Sequence, residues 1–134
     1  MSIESKAYRL IQPGEFEYTT INHESRDGDV IVNPSKASVC HADLRYYTGN
    51  RRKEALDKKL PMALFHEGIG TIEDSKHPDY QKGDKVVIVP NIPSRLRAGD
   101  FEETDLLDNY DENAVFMGSG YDGICQDRML SLIH

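Results

Sequence analysis

Short runs of apolar and β-branched residues alternate with turn residues along most of the chain. Residues 6–12 and 16–21 are each rich in residues typical of a strand. A third strand is predicted to start at Val30 and to end near Val39, with Pro34 kinking it or placing it at a sheet edge. Residues 84–90, with four consecutive β-branched side chains, give the clearest strand. This spacing predicts a mainly β protein.

The middle of the chain breaks this pattern. Residues 41–47 predict one or two helical turns ended by Gly49, and residues 54–57 predict another turn. Residues 60–72 are apolar and extended, and Gly68 and Gly70 within them indicate a bulge or a close backbone approach. Residues 114–117 and 124–133 are predicted as closing strands. A barrel or sandwich with a few short helices accounts for these elements.

Composition limits the function classes. The 134 residues fit one domain, 1–134, and carry a formal net charge of −7. Such an acidic chain has no general attraction for nucleic acid or for an anionic membrane. With no apolar run near the length of a membrane span and no signal-peptide region, we expect a cytoplasmic protein. Residues 99–113 carry seven acidic and no basic side chains, which predicts a solvated excursion.

A thiolate, an imidazole and carboxylates occur in two short segments, around Cys40 and around His66. These ligand types suit a catalytic zinc with three protein ligands and one open position. A cysteine and a histidine in one chain are also an ordinary coincidence, and Cys40 and Cys125 are equally consistent with two free thiols. A structural four-ligand zinc is less favoured, because no C-x-x-C occurs.

Basic residues cluster in one window of this acidic chain. Arg51, Arg52 and Lys53 follow Arg45, and two further lysines come just after them. One interpretation is a solvated charged loop. The other is an electropositive collar for a phosphate, because the guanidinium fork matches phosphate oxygens. We therefore consider Arg45, Arg51 and Arg52 as candidate ligands of a substrate phosphate.

Three motifs in order resemble a known family. They are Val39-Cys40-His41-Ala42-Asp43, His66-Glu67-Gly68-Ile69-Gly70 and Lys82-Gly83-Asp84-Lys85-Val86. Together they resemble the N-terminal, GroES-like domain of zinc-dependent medium-chain alcohol dehydrogenases, over nearly all of the chain. Three further segments resemble the branch that reduces ribulose 5-phosphate to ribitol 5-phosphate: Asp43-Leu44-Arg45-Tyr46-Tyr47-Thr48-Gly49, Lys59-Leu60-Pro61-Met62 and Ser119-Gly120-Tyr121-Asp122-Gly123.

The resemblance implies a GroES-like, partly open β-barrel and a site. Cys40 and His66 match the first two zinc ligands, and Glu67 matches a glutamate that binds the metal or lies behind it. Asp43 matches the aspartate that orients the ligands. The implied reaction is NADPH-dependent reduction of a ketose phosphate to a polyol phosphate, with Zn²⁺ as a Lewis acid, for CDP-ribitol and teichoic acid or capsule synthesis.

The chain departs from the family pattern at several positions. Ala42 stands where most members carry a proton-relaying Ser or Thr, so water, a tyrosine or Thr48 would have to serve. Phe65 replaces the glycine that commonly precedes the histidine. Two cysteines cannot supply the four-cysteine structural zinc site of many relatives.

The sequence also ends before the Rossmann domain of the family, which would bind NADPH. We therefore expect the 134-residue chain to be inactive by itself and to expose an apolar face. The alternatives are a non-catalytic, stand-alone GroES-like module and a truncated gene product. A zinc-free, quinone-reductase-like member fits less well, because such proteins lack the Cys and the His-Glu pair. A homo-oligomer is a further expectation for the full-length form.

Overall fold

The computed structural model describes residues 2–94 and 112–132. These residues form nine strands and two short helices. In chain order they are β1 (Ser2–Gln12), β2 (Glu15–Glu24), β3 (Asp29–Ser38), α1 (His41–Tyr47), α2 (Lys53–Lys59), β4 (Met62–Ala63), β5 (Glu67–Ser75), β6 (Lys85–Ile88), β7 (Asn91–Ile92), β8 (Val115–Phe116) and β9 (Met129–Leu132). Apart from residues 112 and 113, the acidic excursion predicted at residues 99–113 lies outside the described residues.

The strands form three antiparallel sheets. Their strand orders are β2-β1-β4, β6-β5-β3-β9 and β7-β8. Within the described ranges the sheets do not close into a complete barrel, which agrees with the partly open, mainly β fold predicted from the sequence. No helix in these ranges is long and apolar enough to cross a membrane.

Glycines in β5 allow it to lie close to β3. A Cβ atom on Gly70 would lie 2.6 Å from Val32 Cγ1 and 2.7 Å from the Asn33 carbonyl oxygen. A Cβ atom on Gly68 would lie 2.6 Å from the Lys36 carbonyl oxygen. The pairing of β3 with β5 shifts register between Pro34 and Lys36, as a bulge does. Both expectations from the sequence, a close approach at the glycines and a distortion at Pro34, are confirmed.

The last predicted strand is shorter than expected. Only Met129–Leu132 forms a strand, whereas residues 124–128 do not continue it. The amides of Ile124 and Cys125 instead donate to the carbonyl oxygens of Phe65, at 2.9 Å, and Leu64, at 3.1 Å. Because this segment bonds beside the first sheet and β9 pairs with β3 in the second, one continuous ladder over residues 124–133 is not formed.

Two hydrophobic clusters make up the core. The larger one packs side chains from the second sheet and the closing segments: Val30, Val32, Ile72, Ile88, Ile92, Met117, Ile124 and Met129. The smaller one lies under the helices: Leu10, Tyr46, Met62 and Leu64. Phe65 packs against both clusters, so the residue next to His66 connects the two halves of the core.

We predict that Gly123→Ala destabilises the fold severely. The Gly123 amide donates to the Ala63 carbonyl oxygen at 2.8 Å, and an added Cβ would lie 2.8 Å from the Leu64 carbonyl oxygen and closer still to that of Phe65. These acceptors are backbone atoms and cannot move independently. We expect a loss of about 3 kcal/mol or more in the free energy of unfolding, measured by urea denaturation.

The matched control is Gly14→Ala, in the turn between β1 and β2. Gly14 has φ +78°, but no atom lies within 4 Å of an added Cβ. Gly14→Ala should lower the free energy of unfolding by about 1 kcal/mol, because it adds backbone strain but no steric contact. Equal losses for the two variants would contradict the steric explanation.

Candidate metal centre

The end of one strand and the start of another bring the candidate ligands together. Cys40 precedes α1 directly after β3, as the sequence predicted for a junction residue. His66 precedes β5, and Glu67 is the first residue of β5. Since Ser38 pairs with Glu67 across the β3–β5 ladder, the two segments leave the sheet side by side. A separation of 26 residues in sequence therefore becomes direct contact.

Cys40, His66 and Glu67 form one cluster of potential metal ligands. The ligand atoms all lie within 4.8 Å of one another. Nε2 of His66 lies 3.6 Å from Cys40 Sγ and 3.5 Å from Glu67 Oε1. The histidine side chain is 15% exposed and the glutamate side chain is 54% exposed. The cluster is thus open to solvent on the glutamate side.

These separations fit a zinc ion. Zn–S bonds of about 2.3 Å and Zn–N or Zn–O bonds of about 2.0–2.1 Å, at tetrahedral angles, place sulfur about 3.5 Å from nitrogen and nitrogen about 3.4 Å from oxygen. The two distances to His66 Nε2 agree with these values. A thiol–imidazole hydrogen bond would also bring Cys40 and His66 this close. Sulfur, nitrogen and carboxylate oxygen are each ligand types that zinc takes, so the three residues could hold the ion.

Asp43 connects the two ligand segments. Its side chain is buried, with 2% of the residue exposed. One carboxylate oxygen accepts the Cys40 amide at 2.9 Å, and the other accepts the Phe65 amide at 3.2 Å. The first bond is the acidic half of a capping box at the start of α1. The same carboxylate therefore positions the backbone of Cys40 and the residue before His66.

Phe65 takes a backbone conformation that favours glycine. Its φ is +76°, in the left-handed region, at the position where the sequence departs from the family's usual glycine. Two hydrogen bonds hold Phe65 in this conformation, because its amide donates to Asp43 and its carbonyl oxygen accepts from Ile124. Gly118 also packs closely against it, since a Cβ atom on Gly118 would lie 3.3 Å from the Phe65 backbone. The aromatic side chain packs in both core clusters. Packing of the partly buried ring against both clusters thus offsets the backbone strain.

The three arginines predicted to bind phosphate have different environments. Nε of Arg45 donates to the Asn50 carbonyl oxygen at 3.5 Å. The guanidinium of Arg51 lies 3.9 Å from the centre of the Tyr46 ring. Arg52 is exposed and immediately precedes α2. Their joint role in binding phosphate stays a prediction.

Several residues near the cluster were given no role by the sequence. The ring of Phe116 packs against His66 with centroids 5.1 Å apart. Lys59 Nζ donates to Ser119 Oγ at 2.9 Å, and the same oxygen lies 3.1 Å from the Tyr46 hydroxyl. Lys59 and Ser119 lie in segments that carry the family resemblance, but only the tertiary structure brings them together. Thr48, considered as a proton relay, donates its hydroxyl to the Leu44 carbonyl oxygen at 2.8 Å.

Cys125 is separate from the cluster. Both cysteines are free thiols, as one interpretation of the sequence expected. Burial raises the pKa of the Cys125 thiol, so this residue is a weaker metal ligand and nucleophile at neutral pH. Cys125 therefore provides a control for substitutions of Cys40.

Comparison with known proteins identifies the family of the chain. Residues 26–130 match the family model of the alcohol dehydrogenase GroES-like domain. The chain belongs to this family, whose name describes a domain of oxidoreductases of the alcohol dehydrogenase type. The fold class predicted from the sequence is confirmed.

Two curated relatives show which enzymes the chain is similar to in sequence. The chain is 43% identical over 125 residues to the ribulose-5-phosphate reductase of Bacillus spizizenii, covering 93% of this chain and 35% of that protein. It is 41% identical over 127 residues to ribulose-5-phosphate reductase 1 of Staphylococcus aureus, with 94% and 35% covered. The crystal structure of S. aureus TarJ in complex with NADPH matches with a TM-score of 0.65 and 33% identity, over 96% of this chain and 31% of that chain. The chain thus spans about a third of the length of these relatives.

We predict that Asp43→Asn destabilises the chain. An asparagine side chain offers one acceptor oxygen in place of two, so either the Cys40 or the Phe65 amide loses its partner. Because the site is buried, the expected loss is about 2 kcal/mol in the free energy of unfolding, measured by urea denaturation without metal.

Asp57→Asn is the control for this substitution. Asp57 lies on α2, is 63% exposed and pairs with Lys53. Its replacement should change the stability by less than about 0.5 kcal/mol. A loss for Asp43→Asn no larger than that of the control would exclude the bridging role.

Proposed function

We propose that this chain is the zinc-binding catalytic domain of an NADPH-dependent polyol-phosphate dehydrogenase. The reaction would be the reduction of ribulose 5-phosphate to ribitol 5-phosphate. The observation that carries the proposal is the cluster of Cys40, His66 and Glu67 in a chain 43% identical to a ribulose-5-phosphate reductase. The proposal extends the activity named for the longer relatives to the protein that contains this domain.

Each residue of the cluster has a role in this proposal. The Cys40 thiolate and His66 Nε2 hold the ion, and Glu67 supplies a third, exchangeable ligand from the exposed side. Bound zinc supplies a Lewis acid that polarises the ketone oxygen of the substrate. Asp43 fixes the backbone of both ligand segments, and the Phe116 ring restricts the orientation of the imidazole.

A second candidate function is a GroES-like module that binds a ligand or a partner without catalysis. The observation that favours it is the distance of 3.6 Å between Cys40 Sγ and His66 Nε2, which a thiol–imidazole hydrogen bond also explains. Under this alternative the metal cluster is a structural remnant or an ordinary thiol–imidazole contact. Metal binding and turnover separate the two functions.

We predict that the purified chain binds about one zinc ion. Cys40→Ser and His66→Ala should each weaken zinc binding by at least about tenfold, because each removes one ligand of a three-ligand site. Metal content after purification and competition with a chromophoric chelator measure the stoichiometry and the affinity.

Cys125→Ser is the matched control, because it removes the other thiol and leaves the cluster unchanged. It should bind zinc like the wild type. Freshly purified protein that contains no zinc and takes up none on titration would refute the metal site.

We predict no turnover of ribulose 5-phosphate by the 134 residues alone. The relatives are about three times as long. The family resemblance implies that NADPH binds to a Rossmann domain in the part of the relatives that these 134 residues do not match. The loss of NADPH absorbance with zinc and ribulose 5-phosphate present measures the activity. Turnover that depends on Cys40 would show instead that these 134 residues suffice for catalysis, and would exclude the non-catalytic module.

A further inference from the structure

A second polar cluster surrounds the ring of Tyr46. Tyr46 lies in α1 and is 1% exposed. The Arg51 guanidinium carbon lies 3.9 Å from the ring centre, and the Lys59 ammonium lies 5.9 Å from it. Both distances are within the range of cation–π attraction. The aromatic ring is therefore a common support for two cationic side chains.

Ser119 completes this cluster. Its Oγ accepts a hydrogen bond from Lys59 Nζ at 2.9 Å and lies 3.1 Å from the Tyr46 hydroxyl. The aliphatic part of Lys59 lies against Gly120, where an added Cβ would be 3.3 Å from Lys59 Cγ. The glycine turn thus fixes the path of the lysine toward the serine. Arg51, Lys59 and Ser119 are only partly buried, so a small ligand can reach them.

The charges of Arg51 and Lys59 are not neutralised by carboxylates within residues 2–94 and 112–132. Nε of Arg51 is buried and has no hydrogen-bond acceptor there. Because this nitrogen is inaccessible, an anion would contact Arg51 through the part of the side chain that is still exposed. Two other basic side chains are paired, Lys53 with Asp57 and Arg9 with Asp122, whereas Arg52 and Lys58 are exposed to solvent. Among the described residues, Arg51 and Lys59 are thus two partly buried cations without a carboxylate partner, and they are candidates for binding an anion.

The position of the cluster relates it to the candidate metal centre. Ser119 follows Phe116, whose ring packs against His66, by three residues. Gly118, between them, lies against the backbone of Phe65. The short segment from Phe116 to Ser119 therefore connects the metal cluster to the cationic cluster. A substrate with a carbonyl at one end and an anion at the other could contact both.

We infer that Arg51, Lys59 and Ser119 form the subsite for the phosphate of a sugar phosphate, which rests on the proposed function. An ammonium, a guanidinium and a hydroxyl donor are the groups that recognise a phosphate monoester. Of the three arginines that the sequence predicted as phosphate ligands, this assignment includes only Arg51. It replaces Arg45, which contacts the Asn50 carbonyl oxygen, and the exposed Arg52.

A pocket of about 340 Å³ borders the same glycine turn, because Gly120 also lines it. It is lined by Arg9, Asp122 and His23 among others. There the arginine is already neutralised by the aspartate, and His23 is hydrogen-bonded to Gln126 at 2.7 Å. That pocket therefore lacks the unneutralised charge that a phosphate would require.

Isothermal titration of the zinc-loaded chain with ribitol 5-phosphate, ribitol and inorganic phosphate tests the inference. Ribitol 5-phosphate should bind more tightly than ribitol. Lys59→Met and Arg51→Met should each weaken ribitol 5-phosphate binding by at least about tenfold, because each removes a charge-assisted hydrogen bond. Binding of ribitol should not change.

Two neighbouring cations provide matched controls. Lys58→Met and Arg52→Met remove exposed charges next to the cluster and should leave the preference for ribitol 5-phosphate unchanged. Lys59→Arg should retain most of the binding, because it keeps the charge. Far-UV circular dichroism confirms folding, and Lys59→Gln, which can still donate to Ser119, replaces Lys59→Met if that variant is unfolded.

Two outcomes would overturn the inference. One is equal affinity of the folded wild type for ribitol 5-phosphate and ribitol at millimolar concentration. The other is an equal loss in the Lys58 and Lys59 variants, or in the Arg51 and Arg52 variants. Zinc binding is measured separately with Cys40→Ser. Zinc binding without a preference for ribitol 5-phosphate over ribitol would refute only the phosphate subsite. A preference for ribitol 5-phosphate without zinc binding would refute only the metal site.

Discussion

The candidate metal centre depends on one buried carboxylate. Asp43 accepts the amides of Cys40 and Phe65 with its two oxygens, and so joins a helix start to the strand entry that carries His66. The two ligand segments come from residues far apart in sequence, and bonds to backbone atoms hold them independently of any metal. A metal ion would then bind a site whose ligands are already close, which reduces the entropy lost on binding.

The strained residue beside His66 couples this site to the rest of the core. Phe65 has φ +76° and yet packs its ring into both hydrophobic clusters. Its carbonyl oxygen accepts from Ile124, and Gly118 lies against its backbone. Residues near the end of the described chain therefore determine the position of a ligand in the middle. The glycine common in the family relieves the strain locally, whereas here tertiary packing compensates for it.

Two clusters of different charge share this scaffold. The metal cluster offers sulfur, nitrogen and carboxylate ligands, and the cluster around Tyr46 offers two cations and hydroxyl groups. The segment from Phe116 to Ser119 contacts both, because Phe116 packs on His66 and Ser119 bonds to Lys59. Two cationic side chains of this acidic chain thus lie near the candidate site, where they would attract an anionic ligand over a short range.

The sequence determined the strand and helix order, the glycine approaches in β5 and the position of Cys40 at a junction, and it named Cys40, His66 and Glu67 as candidate ligands whose metal binding stays a prediction. Local apolar patterns, turn residues and ordered motifs carry that information. Only the tertiary structure decided which distant groups meet: Asp43 with Phe65, Lys59 with Ser119, and residues 124–128 beside the first sheet in place of a strand. These contacts arise from hydrogen bonds and packing between segments separated by many residues, and no local pattern specifies them.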